Sequence, residues 1–214
     1  MNVGVLGSGG VGQTLAAGFL KHGHAIMIGS REPAKLAAWA AEHPGARVGT
    51  FSETAAFGEI VVLAVKGPAA ADALRGAGAG NLRGKVVIDS CNPIAEAPPD
   101  HGVLRLFTKQ NESLMEALQK EFPEARFVKA FNSVGSPQMV NPVYAGGVRP
   151  TMFICGNDEA AKKTVSGILD QFGWETADMG TAEAARAIEP LCMLWCILGF
   201  TKNEWTHAFK LLRK

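Results

Sequence analysis

A chain of 214 residues, 47% of them hydrophobic, can form one large domain or one domain with a small appendage. Its 21 basic and 20 acidic residues leave a net charge of +1, which supplies no field for nucleic acid or an anionic membrane surface. Four cysteines without a close CxxC pair argue against a disulfide framework or zinc ribbon; free thiols in a reducing compartment and no metal site are expected.

In chain order, residues 3–6 read as a short apolar strand that runs straight into glycines. No basic leader or cleavage site precedes it, so a cytoplasmic location is expected. Helical spacing follows over 11–21, and a second strand covers 24–28. Residues 33–42 are Ala-rich and helical, with Pro33 suited to a first turn. Residues 60–65 are a continuous apolar run, as in a strand covered on both faces. Residues 68–74 read as helix, and 86–89 and 126–131 as buried strands. Between 94 and 110, prolines and a glycine break the pattern into a loop that is a candidate cover for a site. A helix is expected over 114–122, a strand over 152–155, an amphipathic helix over 159–172 and a short edge strand over 174–178. A final helical region starts at Thr181 and is expected to split near Gly199. Its apolar run, 191–200, is about half the length of a membrane span; no span is expected, and the run suits a subunit interface in a homodimer.

Strands alternating with helices imply parallel pairing through crossover helices, hence an α/β, doubly wound, mostly parallel sheet with a small C-terminal helical extension. The run Gly7-Ser8-Gly9-Gly10-Val11-Gly12 follows the first strand and opens the first helix. In that context GxGxxG is the phosphate-binding fingerprint of a Rossmann-type fold. Gly7 permits the tight turn, Gly9 lets the backbone approach a pyrophosphate, and Gly12 allows close helix–strand packing. Free N–H groups and the dipole at the helix start favour the phosphate.

At the end of the second strand the chain reads Ile28-Gly29-Ser30-Arg31, where an NAD site carries an acid. A carboxylate there would repel a 2′-phosphate, whereas Arg31 pairs with it and Ser30 donates one more hydrogen bond, which selects NADP(H). Pro33 is expected to turn Glu32 away. Residues 1–150 are therefore read as the NADP-binding domain, with 151–214 packed on it as a strand–helix extension too small to stand alone. Ligands sit beyond the carboxyl ends of such strands. Those ends carry Ala64-Val65-Lys66, Asn92-Pro93 and Ala130-Phe131-Asn132, where nicotinamide contacts are expected. Cys192 and Cys196 share a helix face with no histidine to complete a metal site, and His22 and His24 are expected to be solvated. No Ser-His-Asp or paired-carboxylate arrangement can be argued, so no catalytic side chain is assigned.

The segments GVLGSGGVGQTLAAGF, IGSREPAK, VVIDSCNP, VKAFNSV, ICGNDEAAKK and ADMG resemble, in order, the NADPH:coenzyme F420 reductase-like family. That family includes archaeal NADP-dependent deazaflavin reductases and the oxidoreductase domain of the six-transmembrane metalloreductases. The resemblance implies NADPH along Gly7, Ser8, Gly9 and Val11, its 2′-phosphate on Ser30 and Arg31, and its nicotinamide near residues 89–93 and 130–132. It also implies direct hydride transfer between the nicotinamide and a flavin or deazaflavin, chemistry that needs orientation and water exclusion more than an acid or base. The metalloreductases continue into membrane helices, so iron reduction by this chain alone is not expected. The expected function is an NADPH-dependent oxidoreductase acting on F420, FMN, FAD or another small acceptor. The alternative is an NADP(H)-binding regulator without turnover. A dehydrogenase of the pyrroline-carboxylate reductase or β-hydroxyacid kind needs a longer helical substrate domain than the residues after 150 provide.

Overall fold

In the computed structural model, which describes residues 1–214, the chain forms β1 (Asn2–Leu6), α1 (Gly10–Lys21), β2 (Ala25–Gly29), α2 (Ala37–Glu42), β3 (Arg47–Gly49), α3 (Phe51–Phe57) and β4 (Ile60–Leu63). There follow α4 (Ala70–Ala77), α5 (Ala79–Leu82), β5 (Val86–Asp89), α6 (Leu114–Glu121) and β6 (Arg126–Lys129). The last third holds β7 (Thr151–Ile154), α7 (Glu159–Gln171), β8 (Glu175–Asp178), α8 (Ala185–Ile188) and α9 (Leu191–Lys202).

The first six strands form one parallel sheet in the order β3-β2-β1-β4-β5-β6. Side chains alternate between its two faces. Val3, Val5, Ile60, Val62 and Val128 enter one apolar cluster with Leu15 and Phe19 of α1 and Val165 and Leu169 of α7. Leu6, Val61, Leu63 and Phe127 enter the other, with Ala55 of α3, Leu74 of α4 and Leu118 of α6. Both faces are buried, which is why these strands read as unbroken apolar runs. The fold is thus the Rossmann-type doubly wound α/β arrangement.

β7 and β8 form a separate parallel pair, joined to the edge of the main sheet by an antiparallel bridge between Lys129 and Cys155. Met152, Ile154 and Trp174 belong to the same cluster as β1 and β2, and Ala182, Ala185 and Ile188 to the cluster on the opposite face. The indole of Trp174 donates to the Met139 carbonyl at 2.8 Å.

Several expectations need correction. The periodicity reading passes over β3 and α3, three and seven residues long. Yet α3 begins with a capping box: Thr50 accepts from the Glu53 N–H, and Glu53 accepts from the Thr50 N–H at 2.8 Å. Thr50→Ala is expected to cost about 1 kcal/mol, measured by urea unfolding at neutral pH. The strand expected over 126–131 ends at Lys129, because Phe131 is buried in a left-handed conformation, φ +63°. His22 and His24 are half-buried rather than solvated: His22 stacks on Phe172 with ring centroids 5.0 Å apart, and His24 lies 3.0 Å from Gln171 Oε1.

The final helical region breaks at Glu189–Pro190, between α8 and α9, not at Gly199. Gly199 lies inside α9, where the Trp205 ring covers it and leaves no room for a side chain; a Cβ there would lie 2.2 Å from that ring. The helical stretch Ala182–Lys202 is 21 residues and contains an 18-residue window of mean hydropathy 1.3, long and apolar enough to cross a membrane by length and composition, unlike the shorter run counted from the sequence. Ala185, Ile188, Cys192 and Trp195 within it are buried in the fold.

Candidate dinucleotide site

The strand order reverses between β1 and β4, and the loops leaving their carboxyl ends part there to form a cleft. Its volume is about 1000 Å³, and loop residues 7–11, 30–32, 64–67, 90–92 and 94–97 line it. The start of the irregular 94–110 segment therefore forms one wall.

The glycines of the first loop divide by role. Gly7 turns the chain at φ +134°, and a Cβ on it would lie 2.1 Å from the Ala64 carbonyl oxygen. A Cβ on Gly12 would lie 2.0 Å from the Gly7 carbonyl oxygen, so this buried residue sets how closely α1 meets the loop. A Cβ on Gly9, in contrast, would meet nothing within 4 Å. Gly9 is the N-cap of α1 and gives that helix no side-chain cap, and no acidic residue occupies its first turn. The first N–H groups of α1 are thus left for an anion in open space. Gly12→Ala is expected to lower the melting temperature, whereas Gly9→Ala is expected to leave it unchanged while weakening dinucleotide binding at least about tenfold, by crowding the space over those N–H groups. Differential scanning fluorimetry with and without NADPH separates the two outcomes.

The end of β2 is tied to this loop. The buried Ser30 hydroxyl donates to Ser8 Oγ at 3.3 Å and accepts from the Glu32 N–H at 3.1 Å. Arg31 is exposed, lines the cleft and forms no ion pair. Glu32 also lines the cleft, contrary to the expectation that Pro33 turns it away, but its carboxylate pairs with Lys35 at 2.9 Å. The Lys35 hydrogen bond and charge, with a smaller contribution from Arg31, hold that carboxyl below its usual range. Lys35, which the sequence reading passed over, adds a second cation to this corner.

At the far end, Ser90, Cys91 and Asn92 line the cleft. Ala130, Phe131 and Asn132 do not: all three are buried behind it, and Pro93 is likewise outside the lining. Asn132 instead touches Asn92, donating to Asn92 Oδ1 at 3.1 Å while Asn92 Nδ2 donates to the Asn132 carbonyl at 2.7 Å. Asn132 also donates to the Ile188 carbonyl at 2.9 Å. The Asn92 amide is therefore held in place by its neighbour.

Below this loop lies a group that sequence reading missed. Lys129 Nζ is 2.6 Å from Asp89 and 2.9 Å from Glu189, with all three side chains buried. It also donates to the Cys91 carbonyl at 2.9 Å, while Asp89 accepts from the Cys91 N–H at 2.9 Å. Burial opposes the ammonium, but the two carboxylates outweigh it and hold Lys129 protonated. Burial, with Asp89 nearby, pushes the Cys91 thiol well above its ordinary value, so it is no nucleophile. The available signal was a lysine inside the apolar strand segment Phe127-Val128-Lys129-Ala130-Phe131, a place where an unpaired charge is not tolerated.

This strand order, with an uncapped glycine-rich helix start at the switch point, defines a Rossmann-type nucleotide-binding domain. The family model described as NADP oxidoreductase, coenzyme F420-dependent, matches residues 2–93. A solved structure of a candidate F420-dependent NADP-reductase from Arthrobacter sp. FB24 is 36% identical over 100% of both chains, with a TM-score of 0.93. The F420-dependent NADP reductase of Methanocaldococcus jannaschii is 33% identical over 117 residues, 53% of this chain and 50% of that protein. Metalloreductase STEAP3 of Rattus norvegicus is 29% identical over 189 residues, 88% of this chain and 36% of that protein. The chain spans between about a third and half the length of these two curated relatives. It belongs to the family of F420-dependent NADP oxidoreductases.

Proposed function

We propose that the chain is an NADPH-dependent oxidoreductase that passes hydride between NADP(H) and a flavin or deazaflavin, coenzyme F420 being the leading acceptor and FMN, FAD or another small acceptor the others. The observation that carries this reading is the cleft itself. It has an uncapped helix start beneath the open space over Gly9, and a free Arg31 beside Ser30 one loop away. The F420-dependent NADP reductases among its relatives support the choice of acceptor.

In this reading the N–H groups at the start of α1 hold the pyrophosphate. Ser30, Arg31 and Lys35 hold the 2′-phosphate. Ala64, Val65 and Lys66 line the middle of the cofactor, and Ser90 to Asn92 face its nicotinamide end, with Ala130 to Asn132 supporting them from behind. Bound NADPH supplies the hydride. The protein's residues orient the ring and keep water from it, which accounts for the absence of a catalytic triad in the chain. The same proposal places the protein in the cytoplasm. It also makes it a homodimer through α9, whose Leu194 and Phe200 are 56% and 46% exposed.

The test is NADPH oxidation at 340 nm with F420, FMN, FAD and a quinone in turn. Turnover with F420 or a flavin is expected. Tight NADPH binding with no oxidation by any of them would instead favour the regulator.

A further inference from the structure

We propose that the buried Asp89–Lys129–Glu189 cluster biases the bound dinucleotide toward its oxidised form, so that NADPH held here is a stronger hydride donor than NADPH in solution. The inference rests on the NADP(H) reading above.

The cluster holds two carboxylates and one ammonium, so one negative charge is in excess. Each member has close polar neighbours. Lys129 contacts both acids and the Cys91 carbonyl, Asp89 accepts from the Cys91 N–H, and Glu189 accepts from the Leu114 and Met115 N–H groups at 2.9 and 3.0 Å. None of the three side chains is more than 1% exposed, so salt and water screen the excess charge weakly. The α6 N-terminus, seated on Glu189, offsets part of it.

Only one residue separates the cluster from the cleft. Cys91 binds Asp89 through its N–H and Lys129 through its carbonyl, and it lines the cleft between Ser90 and Asn92. The basic residues on the cleft wall, Arg31, Lys35 and Lys66, are exposed to solvent and screened. The nicotinamide ring is cationic in NADP⁺ and neutral in NADPH, so a negative charge behind it favours only the oxidised form. The 2′-phosphate and pyrophosphate are common to both and cancel. A unit charge about 10 Å away at an effective dielectric of about 20 is worth roughly tenfold, and the helix offset brings the expected preference to about three- to tenfold.

The measurement is the dissociation constant of NADP⁺ and of NADPH, each by fluorescence titration, for the unaltered protein, Glu189→Gln, Asp89→Asn and the exposed control Glu121→Gln. The ratio of the NADP⁺ constant to the NADPH constant should rise about three- to tenfold in both cluster variants and stay unchanged in the control. A purely structural cluster would lower the fraction of competent protein or weaken both ligands alike, leaving the ratio where it was; that result, or a shift the other way, overturns the inference. Should neither variant fold, the unaltered protein decides: it should bind NADP⁺ no more weakly than NADPH, and a preference for NADPH of about tenfold or more overturns the inference. Absence of binding of either form defeats the NADP(H) reading instead, and the inference with it.

Discussion

Lys129→Met is expected to destabilise the fold by about 3–5 kcal/mol, the usual cost of breaking a buried ion pair by removing one partner. The methionine would fill much the same space, so the loss would come from charge. Asp89 and Glu189 would remain fully buried, within reach of the vacated position, with no cation between them. The Cys91 carbonyl would also lose its buried donor. A domain of this size loses about 2–4 °C per kcal/mol, so the melting temperature should fall by about 6–20 °C. An exposed ion group supplies the contrast. Arg75 contacts both Asp72 and Glu121 at the surface, and Arg75→Ala should cost far less than Lys129→Met despite removing two pairs. Urea unfolding of both variants tests the argument, and a Lys129→Met loss no larger than that of Arg75→Ala would refute it. Glu189→Gln and Asp89→Asn should be milder than Lys129→Met, because each leaves Lys129 with one carboxylate.

Arg31→Ala should weaken NADPH by about 1.5–3 kcal/mol, roughly ten- to a hundredfold, and leave NADH nearly unchanged. The guanidinium has no partner in the structure, so nothing inside the protein is lost with it. Glu32, which follows Arg31 and also lines the cleft, is engaged by Lys35. Equal weakening of NADPH and NADH, measured by calorimetric titration, would remove Arg31 from the 2′-phosphate site. Lys35→Ala is the companion variant. It frees Glu32 beside the phosphate position, so its effect should again fall on NADPH and not on NADH.

The sequence alone was enough for the parallel sheet and the glycine loop, for a shared reason. Strands buried on both faces must be apolar throughout, and a backbone that turns at φ +134° beside Ala64 admits only glycine, so these features are written in consecutive residues. The short elements β3 and α3 left too few residues for a period to register, although Thr50 and Glu53 announce the helix by its cap. The strand-end rule located Ala130 to Asn132 near the site but could not tell lining from backing. A strand's last residues point alternately to either side, and Phe131 leaves the strand altogether. A glycine suggests a break near Gly199, yet that residue is small because the Trp205 ring covers it, and the helix breaks at Glu189–Pro190. Only the tertiary structure brought together Asp89, Lys129 and Glu189. They lie on β5, on β6 and after α8; a lysine inside an apolar strand hints at a buried charge, but no local pattern names its partners, which folding alone brings within 3 Å of its ammonium.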